Sequence, residues 1–142
     1  MKKEELSEFK HIKHIPIRYD DLDTMGHVNN KAYLAFLEES RIDFHANIFG
    51  LEDMMQFSMV VAKIEINYMR PVLYGDNLYA YSKISNIGNT SFEIYTLFVV
   101  KKGNDNYIKV SDAKVVLVNI DIKTGKSVSI NEREKEKLYF YK

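Results

Sequence analysis

The sequence predicts an α+β fold in which an antiparallel sheet wraps around one long central helix. Three observations support this prediction. The longest helical pattern in the chain is apolar on most of its sides, and nearly everything after it is β-rich. Turn residues such as Gly, Asn and Asp separate the β-rich segments, which favours antiparallel pairing.

The central helix is predicted over residues 30–49. Gly50 follows at the position where a residue in the left-handed conformation commonly ends a helix. Alanine and leucine side chains widen the apolar stripe until the front half of the helix is apolar nearly all round. Such a helix is buried and not laid on a surface. The apolar residues that define the pattern are Tyr33, Phe36, Leu37, Ile42, Phe44 and Ile48, with Ala32, Leu34 and Ala35.

Five strands and a second helix complete the prediction. The first strand covers residues 10–19, and Pro16, which has no N–H to donate, places it at an edge or a bulge. Turn chemistry predicts hairpins between successive strands of the later part. A short C-terminal helix is expected over residues 131–141. The later strands are predicted at residues 58–69, 77–87, 90–100 and 107–122.

A strand, a buried helix and then four strands form the hotdog architecture, in which the sheet wraps around the helix. Leaving Phe36 or Leu37 exposed would cost a few kcal/mol, so the sheet must wrap the helix. We therefore expect residues 1–142 to form a single hotdog domain. One such layer leaves apolar surface and strand edges open, so a homodimer or a dimer of dimers is expected.

Composition excludes several classes of function. Twenty basic residues balance twenty acidic ones, which gives no charge to recruit nucleic acid or an anionic membrane. The absence of cysteine removes disulfides, thiolate metal sites and a cysteine nucleophile. His11, His14 and His45 are scattered, so neither a metal site nor a cofactor is expected. Without a signal peptide or an apolar span in the sequence, the expected location is the cytoplasm.

The densest group of polar residues lies between the first strand and the central helix. Asp23, His27, Asn29 and Asn30 fall within eight residues, just before the predicted helix N-terminus. Free N–H groups and the helix dipole favour negative charge there, as a developing oxyanion would require. The alternative is that Asp23, Asn29 or Asn30 merely caps the helix. Asp21 is expected to shape the loop.

Residues 19–33, which read YDDLDTMGHVNNKAY, resemble the signature of the 4-hydroxybenzoyl-CoA thioesterase branch of hotdog proteins. The same stretch is also similar to acyl-ACP thioesterases. Residues 66–76, INYMRPVLYGD, resemble the end of the second strand in that family. Acyl-ACP thioesterases commonly carry Asn where this chain has Met25, so the resemblance implies a thioesterase in general and not an ACP-specific one.

The resemblance implies roles for individual residues. The carboxylate in the place of Asp23 is catalytic in the family, as general base on water or as nucleophile on the thioester carbon. The backbone N–H at the position of Asn30 polarises the thioester oxygen. Tyr19 and His27 match positions with auxiliary roles. The implied substrate is an acyl-CoA or acyl-ACP thioester.

Other assignments remain open at this stage. His27 alone could be a structural hydrogen-bonding residue, and Glu39 is the alternative base, with pairing to a nearby cation as its structural explanation. Asn29 is a candidate substrate-binding residue. Met54, Met55, Phe57 and Met59 could line an adaptable acyl pocket or fill the core. The alternative functions are a non-catalytic acyl-thioester-binding module and, with less support, a hydratase or dehydratase.

Overall fold

The structure is a computed structural model that describes residues 1–50 and 58–142. Two helices and five strands position the site, together with short 3-10 turns at Lys3–Leu6 and Tyr19–Asp21. The helices are α1 (Ala32–Phe49) and α2 (Glu132–Phe140), and the strands are β1 (His11–Ile15), β2 (Met59–Tyr68), β3 (Leu78–Ile87), β4 (Ser91–Lys102) and β5 (Asn106–Asn119).

The five strands form one antiparallel sheet in the order β1-β3-β4-β5-β2. The α+β hotdog fold is thus confirmed, and β3–β4 and β4–β5 are the expected hairpins. The prediction of hairpins between all successive strands is wrong, because β2 pairs with β5 and not with β3. The connection from β2 to β3, residues 69–77, is too long for a tight turn. It also includes Pro71, which has no N–H to donate to a neighbouring strand.

The first strand is shorter than predicted. It pairs with β3 only as far as Ile15 opposite Leu78, and Tyr19 already belongs to a 3-10 turn. Pro16 follows directly and has no N–H for the next ladder position, which explains the early end. The strand is at an edge of the sheet, as the proline predicted.

Helix α1 packs on one face of the sheet and contributes Tyr33, Phe36 and Phe44 to the main core. Its opposite face is open, since Leu34 is 51% exposed and Ile42 is 40% exposed. The prediction that the front half is buried on nearly all sides is therefore wrong for a single chain. Five strands cover only one side of the helix. Gly50 ends it with φ +91°, although ψ of 160° is extended and not left-handed helical.

One ionisable pair lies between α1 and β1. His11 is 1% exposed and stacks on Phe44, and its Nε2 lies 2.7 Å from Oδ2 of Asp43. Its Nδ1 is buried without a partner among the described residues. Protonating Nδ1 would bury an unpaired N–H, and burial lowers the pKa of His11 despite the neighbouring carboxylate.

Candidate active site

A tight turn holds the polar residues of the motif in place. Leu22 and Val28 form an isolated β-bridge, and the N–H of Asp23 donates to the carbonyl of His27 at 2.7 Å. The N–H of Gly26 donates to the carbonyl of Asp23 at 3.1 Å. Gly26 has φ +78°, which an L side chain rarely adopts, so glycine is required there.

The two carboxylate oxygens of Asp23 are used differently. Oδ1 accepts the N–H of Met25 at 2.8 Å and the N–H of His27 at 3.1 Å. No group in residues 1–50 or 58–142 donates to Oδ2. The carboxylate is half-buried. Oδ1 therefore stabilises the turn, and Oδ2 is available to contact a ligand.

The N-terminus of α1 leaves one backbone donor unused. The N–H of Asn29 donates to the carbonyl of Asp21 at 2.7 Å, and the N–H of Lys31 donates to Oδ1 of Asn29 at 3.0 Å. Ala32 and Tyr33 donate to the carbonyls of Asn29 and Asn30 at 2.9 and 3.3 Å. The N–H of Asn30 has no acceptor in the described part of the chain. It therefore lies free at the positive end of the helix dipole.

Asp23 and Asn30 line the same cavity, which has a volume of about 260 Å³. The residues around it come from the turn, from the start of α1 and from the end of β2. This first cavity is lined by Asp23, His27, Val28, Asn30, Tyr33, Tyr68, Met69, Arg70, Pro71 and Val72. A second cavity of about 510 Å³ adjoins it and shares His27, Arg70 and Pro71.

Two tyrosines join α1 to β2 beside the first cavity. The hydroxyl of Tyr68 donates to the carbonyl of Asn30 at 3.1 Å, and the rings of Tyr33 and Tyr68 meet edge to face at 5.2 Å. Burial, with a smaller contribution from Tyr68, raises the pKa of Tyr33 to about 12. The Tyr33 hydroxyl therefore stays protonated, and none of the described residues accepts its hydrogen.

The predicted catalytic residues are not all brought together. Asp23, His27 and Asn30 line the first cavity, and His27 also lines the second. Tyr19 lines neither cavity and is 78% exposed, at the first position of the 3-10 turn Tyr19–Asp21. Asn29 also lines neither cavity, and its Oδ1 accepts the N–H of Lys31 as that of a capping residue does, so its substrate-binding role stays a prediction.

The remaining candidates also lie away from the first cavity. Glu39 is in the middle of α1 on its exposed face and does not line the first cavity, so its role as the alternative base stays a prediction. Met59 is a core residue that starts β2, about 30 Å along the strand from Tyr68. Asp21 shapes the loop as expected, through its Oδ2, which accepts the N–H of Arg18. Met54, Met55 and Phe57 lie outside the described residues.

Sequence reasoning missed Tyr33, Tyr68 and Arg70 as residues of the site. Tyr33 was assigned to the apolar stripe of the helix, and its hydroxyl was overlooked. Tyr68 and Arg70 belong to the second stretch that resembles the family, which was the available signal. Their closeness to the turn depends on the end of β2 meeting the start of α1, which local patterns do not encode.

The described residues include no group of three His, Cys, Asp or Glu side chains placed to hold a metal ion. Within the same residues, no helix is long and apolar enough to cross a membrane.

Comparison with known proteins assigns the family. Residues 17–138 match the model of the thioesterase-like superfamily. The long-chain acyl-CoA thioesterase FadM of Escherichia coli (strain K12) is 33% identical over 126 residues, which cover 87% of this chain and 93% of FadM.

Solved structures agree on the fold. A predicted thioesterase from Bacillus stearothermophilus superposes with a TM-score of 0.81 at 26% identity, covering 92% of this chain and 95% of that one. A thioesterase from Thermus thermophilus, complexed with coenzyme A and Zn, gives a TM-score of 0.79 at 25% identity, covering 94% and 95%. This chain belongs to the thioesterase-like superfamily and has its hotdog fold.

Proposed function

We propose that this protein hydrolyses acyl thioesters to a carboxylic acid and a thiol, with Asp23 and the N–H of Asn30 as its catalytic groups. One observation carries the proposal. Asp23, whose Oδ2 accepts no hydrogen bond from the described residues, and Asn30, whose N–H is unused among them, line the same small cavity at the start of a helix. A nucleophile or base and an oxyanion donor are the two parts that thioester hydrolysis requires.

The chemistry follows from this arrangement. The N–H of Asn30 polarises the thioester carbonyl and stabilises the negative charge that develops on its oxygen. The Asp23 carboxylate either removes a proton from the attacking water or attacks the carbon itself. In both routes the carbon–sulfur bond breaks and the thiol leaves. The Tyr33 hydroxyl, held protonated by its raised pKa, is a second neutral donor at the cavity wall.

We further propose acyl-CoA as the substrate class. The acyl-CoA thioesterase FadM, at 33% identity, and the coenzyme A complex of the Thermus thermophilus thioesterase support this. Acyl-ACP is the narrower alternative within the same chemistry. We also propose a cytoplasmic location, which suits a chain of 142 residues without cysteine.

The functional unit in this proposal is a homodimer formed through β2. This strand is at the edge of the sheet, and most of its residues are exposed on both faces. A long apolar edge is a site for pairing with another strand. Leu34 on the open face of α1 is exposed as well. A second copy would cover the exposed apolar side chains of β2, which are Val60, Val61, Ile64 and Tyr68.

Light scattering at micromolar concentration tests this interface. The wild type should have about twice the chain mass of 16.6 kDa. Ile64→Lys, which places a charge on the β2 edge, should shift the protein towards monomer. Ile12→Lys on β1 is the matched control, since Ile12 is 53% exposed on the other edge strand and should leave the dimer intact. A monomeric wild type would refute the proposal.

A thiol-release assay over a panel of acyl-CoA and acyl-ACP thioesters tests the activity. Asp23→Asn keeps an oxygen for the N–H groups of Met25 and His27 and removes the charge, so turnover should fall about a hundredfold or more while the fold survives. Asp20→Asn is the control, because Asp20 is exposed in the preceding turn.

The panel also separates the two classes of function. Thiol release that requires Asp23 supports the enzyme. Tight binding of acyl-CoA by calorimetry without any thiol release supports the alternative, a non-catalytic binding module. Near-normal turnover of a folded Asp23→Asn variant would exclude Asp23 from catalysis.

A further inference from the structure

The face of the sheet that points away from α1 has an apolar cluster of its own. The side chains of a strand alternate between its two faces, so the residues next to Ala80 and Phe98 of the main core point to this outer face. Aromatic rings make up most of the cluster, and none of its members belongs to the main core. On the sheet it consists of Tyr81, Leu97, Val99 and Tyr107, with Tyr79 and Tyr95 packed against them.

Residues 1–10, which we call the N-terminal segment, cover this outer face. Leu6 and Phe9 are buried and belong to the same cluster as the sheet residues. The ring of Phe9 meets Tyr81 edge to face at 6.0 Å and stacks on Tyr95 at 6.1 Å. These two side chains therefore keep water from the outer face, as α1 does on the other side of the sheet.

The attachment of the N-terminal segment is slight. Leu6 and Phe9 are the only buried residues in it, and the other eight are exposed. The Nζ of Lys83 lies 2.9 Å from Oε2 of Glu8, but an ion pair with an exposed carboxylate stabilises little. The segment therefore stays on the sheet mainly through two apolar side chains.

A second copy of this chain fits the outer face once the segment is removed from it. Apolar faces of antiparallel sheets pack on one another, and a large exposed apolar patch marks an interaction site. Twenty basic residues balance twenty acidic ones, so no net charge keeps two copies apart. Two copies related by a two-fold axis present the same residues to each other, so each face supplies an apolar partner for the other.

We propose that the N-terminal segment covers a self-association surface of the sheet, and that this surface pairs with the same surface of a second copy when Leu6 and Phe9 are withdrawn. The pairing is face to face, unlike the edge-to-edge pairing proposed for β2. With the segment in place, assembly stops at the β2 dimer. Without it, two dimers join through their outer faces. This proposal does not depend on thioester hydrolysis.

The double substitution Leu6→Asp/Phe9→Asp releases the segment and leaves the sheet unchanged, because two carboxylates are too costly to bury in the apolar cluster. Light scattering at micromolar concentration should give about twice the mass of the wild type. Lys3→Gln/Ser7→Asp is the matched control, since it changes the net charge by the same amount at two exposed positions of the segment. Its mass should equal that of the wild type.

Val99→Lys, added to the released variant, identifies the surface that pairs. Val99 lies under the segment on the outer face of β4, so in the released variant a lysine there is exposed to water and is costly to bury against a second sheet. The triple variant should return to the wild-type mass. A doubled mass that persists in the triple variant would place the contact elsewhere and overturn the proposal.

The remaining outcomes are equally decisive. An unchanged mass in a released variant that circular dichroism shows to be folded would overturn the proposal, and so would a doubled mass in the control. If the double variant does not fold, Leu6→Asp alone is judged by the same criterion. The mass is compared with that of the wild type, so a monomeric wild type refutes the β2 dimer and leaves this test intact.

Thiol release gives an independent readout. Neither cavity is lined by a residue of the N-terminal segment or of the outer cluster. Turnover per chain should therefore be the same in the released variant as in the wild type while the mass doubles. If the wild type hydrolyses no thioester, the proposed function fails, and the mass measurements still decide whether the segment covers a self-association surface.

Discussion

The backbone N–H of Asn30 can be removed without touching any other contact that it makes. Asn30→Pro deletes this donor, and because the N–H has no acceptor in the described part of the chain, no hydrogen bond of the fold is lost. The carbonyl of Asn30 still accepts from Tyr33 and from the hydroxyl of Tyr68. Asn30 also precedes the N-cap residue Lys31, so a proline there interrupts no hydrogen bond within α1.

The expected loss of kcat is large although the substitution removes only one N–H group. Removing one oxyanion donor costs about 2.7–4 kcal/mol of transition-state stabilisation, which corresponds to about a hundred- to a thousandfold in kcat. Asn30→Ala is the matched control. It removes the side chain, which makes no hydrogen bond among the described residues, and keeps the N–H, so its kcat should stay within about threefold of wild type.

The assay is thiol release under saturating acyl-CoA, with thermal unfolding of each variant measured in parallel. Asn30→Pro and Asn30→Ala should unfold within a few degrees of each other while differing strongly in kcat. Equal kcat values in two folded variants would show that this N–H does not stabilise the oxyanion, and the proposed geometry of catalysis would have to be abandoned.

Three further predictions follow from the site and the core. Tyr33→Phe should lower kcat about two- to tenfold in the thiol-release assay without loss of fold, because the hydroxyl has no partner among the described residues; a variant as fast as wild type would refute its role. The pKa of His11 is lowered in the folded state, so the stability it contributes is present above about pH 6.5 and is lost as the pH falls below that value. Urea midpoints between pH 5 and pH 8 should show this loss in the wild type and a smaller one in His11→Gln, and parallel curves would contradict it. The acyl group should be aliphatic. Each methylene buried in the pocket should stabilise binding by about 0.8 kcal/mol, so kcat/KM should rise with chain length until the pocket ends. A preference for benzoyl-type thioesters over medium-chain acyl-CoA would overturn this prediction.

Local patterns predicted the elements of this fold, because helix and strand periodicities are properties of short segments. The helix at residues 30–49 and the later strands differ from the structure by only a few residues at their ends. The partner of β2 was mispredicted, because the connection through Pro71 does not reveal whether β2 joins β3 or β5. That choice depends on the whole sheet and not on the turn.

The site also combines residues that local sequence predicts with residues that only the tertiary structure brings together. Asp23, His27 and Asn30 are close in sequence, and the motif alone predicted that they act together. Tyr68 and Arg70 reach the first cavity only because the end of β2 lies beside the start of α1, which the Tyr68 hydrogen bond to Asn30 makes visible. Tyr19 shows the converse: closeness in sequence does not bring this exposed turn residue into either cavity, and its catalytic role stays a prediction.

The sequence allows Asp23 to be either a capping residue or a catalytic one, and in this structure the two roles are compatible. Its Oδ1 does what a capping oxygen does, by accepting two N–H groups of the turn. Those two bonds also fix the direction of Oδ2, because a carboxylate held through one oxygen has little freedom left in the other. In the proposed mechanism, an oxygen that is already positioned before the substrate binds avoids the entropic cost of ordering it later. Asp23→Ala should therefore lose stability as well as activity, whereas Asp23→Asn should lose activity alone, and thermal unfolding of the two variants distinguishes these outcomes.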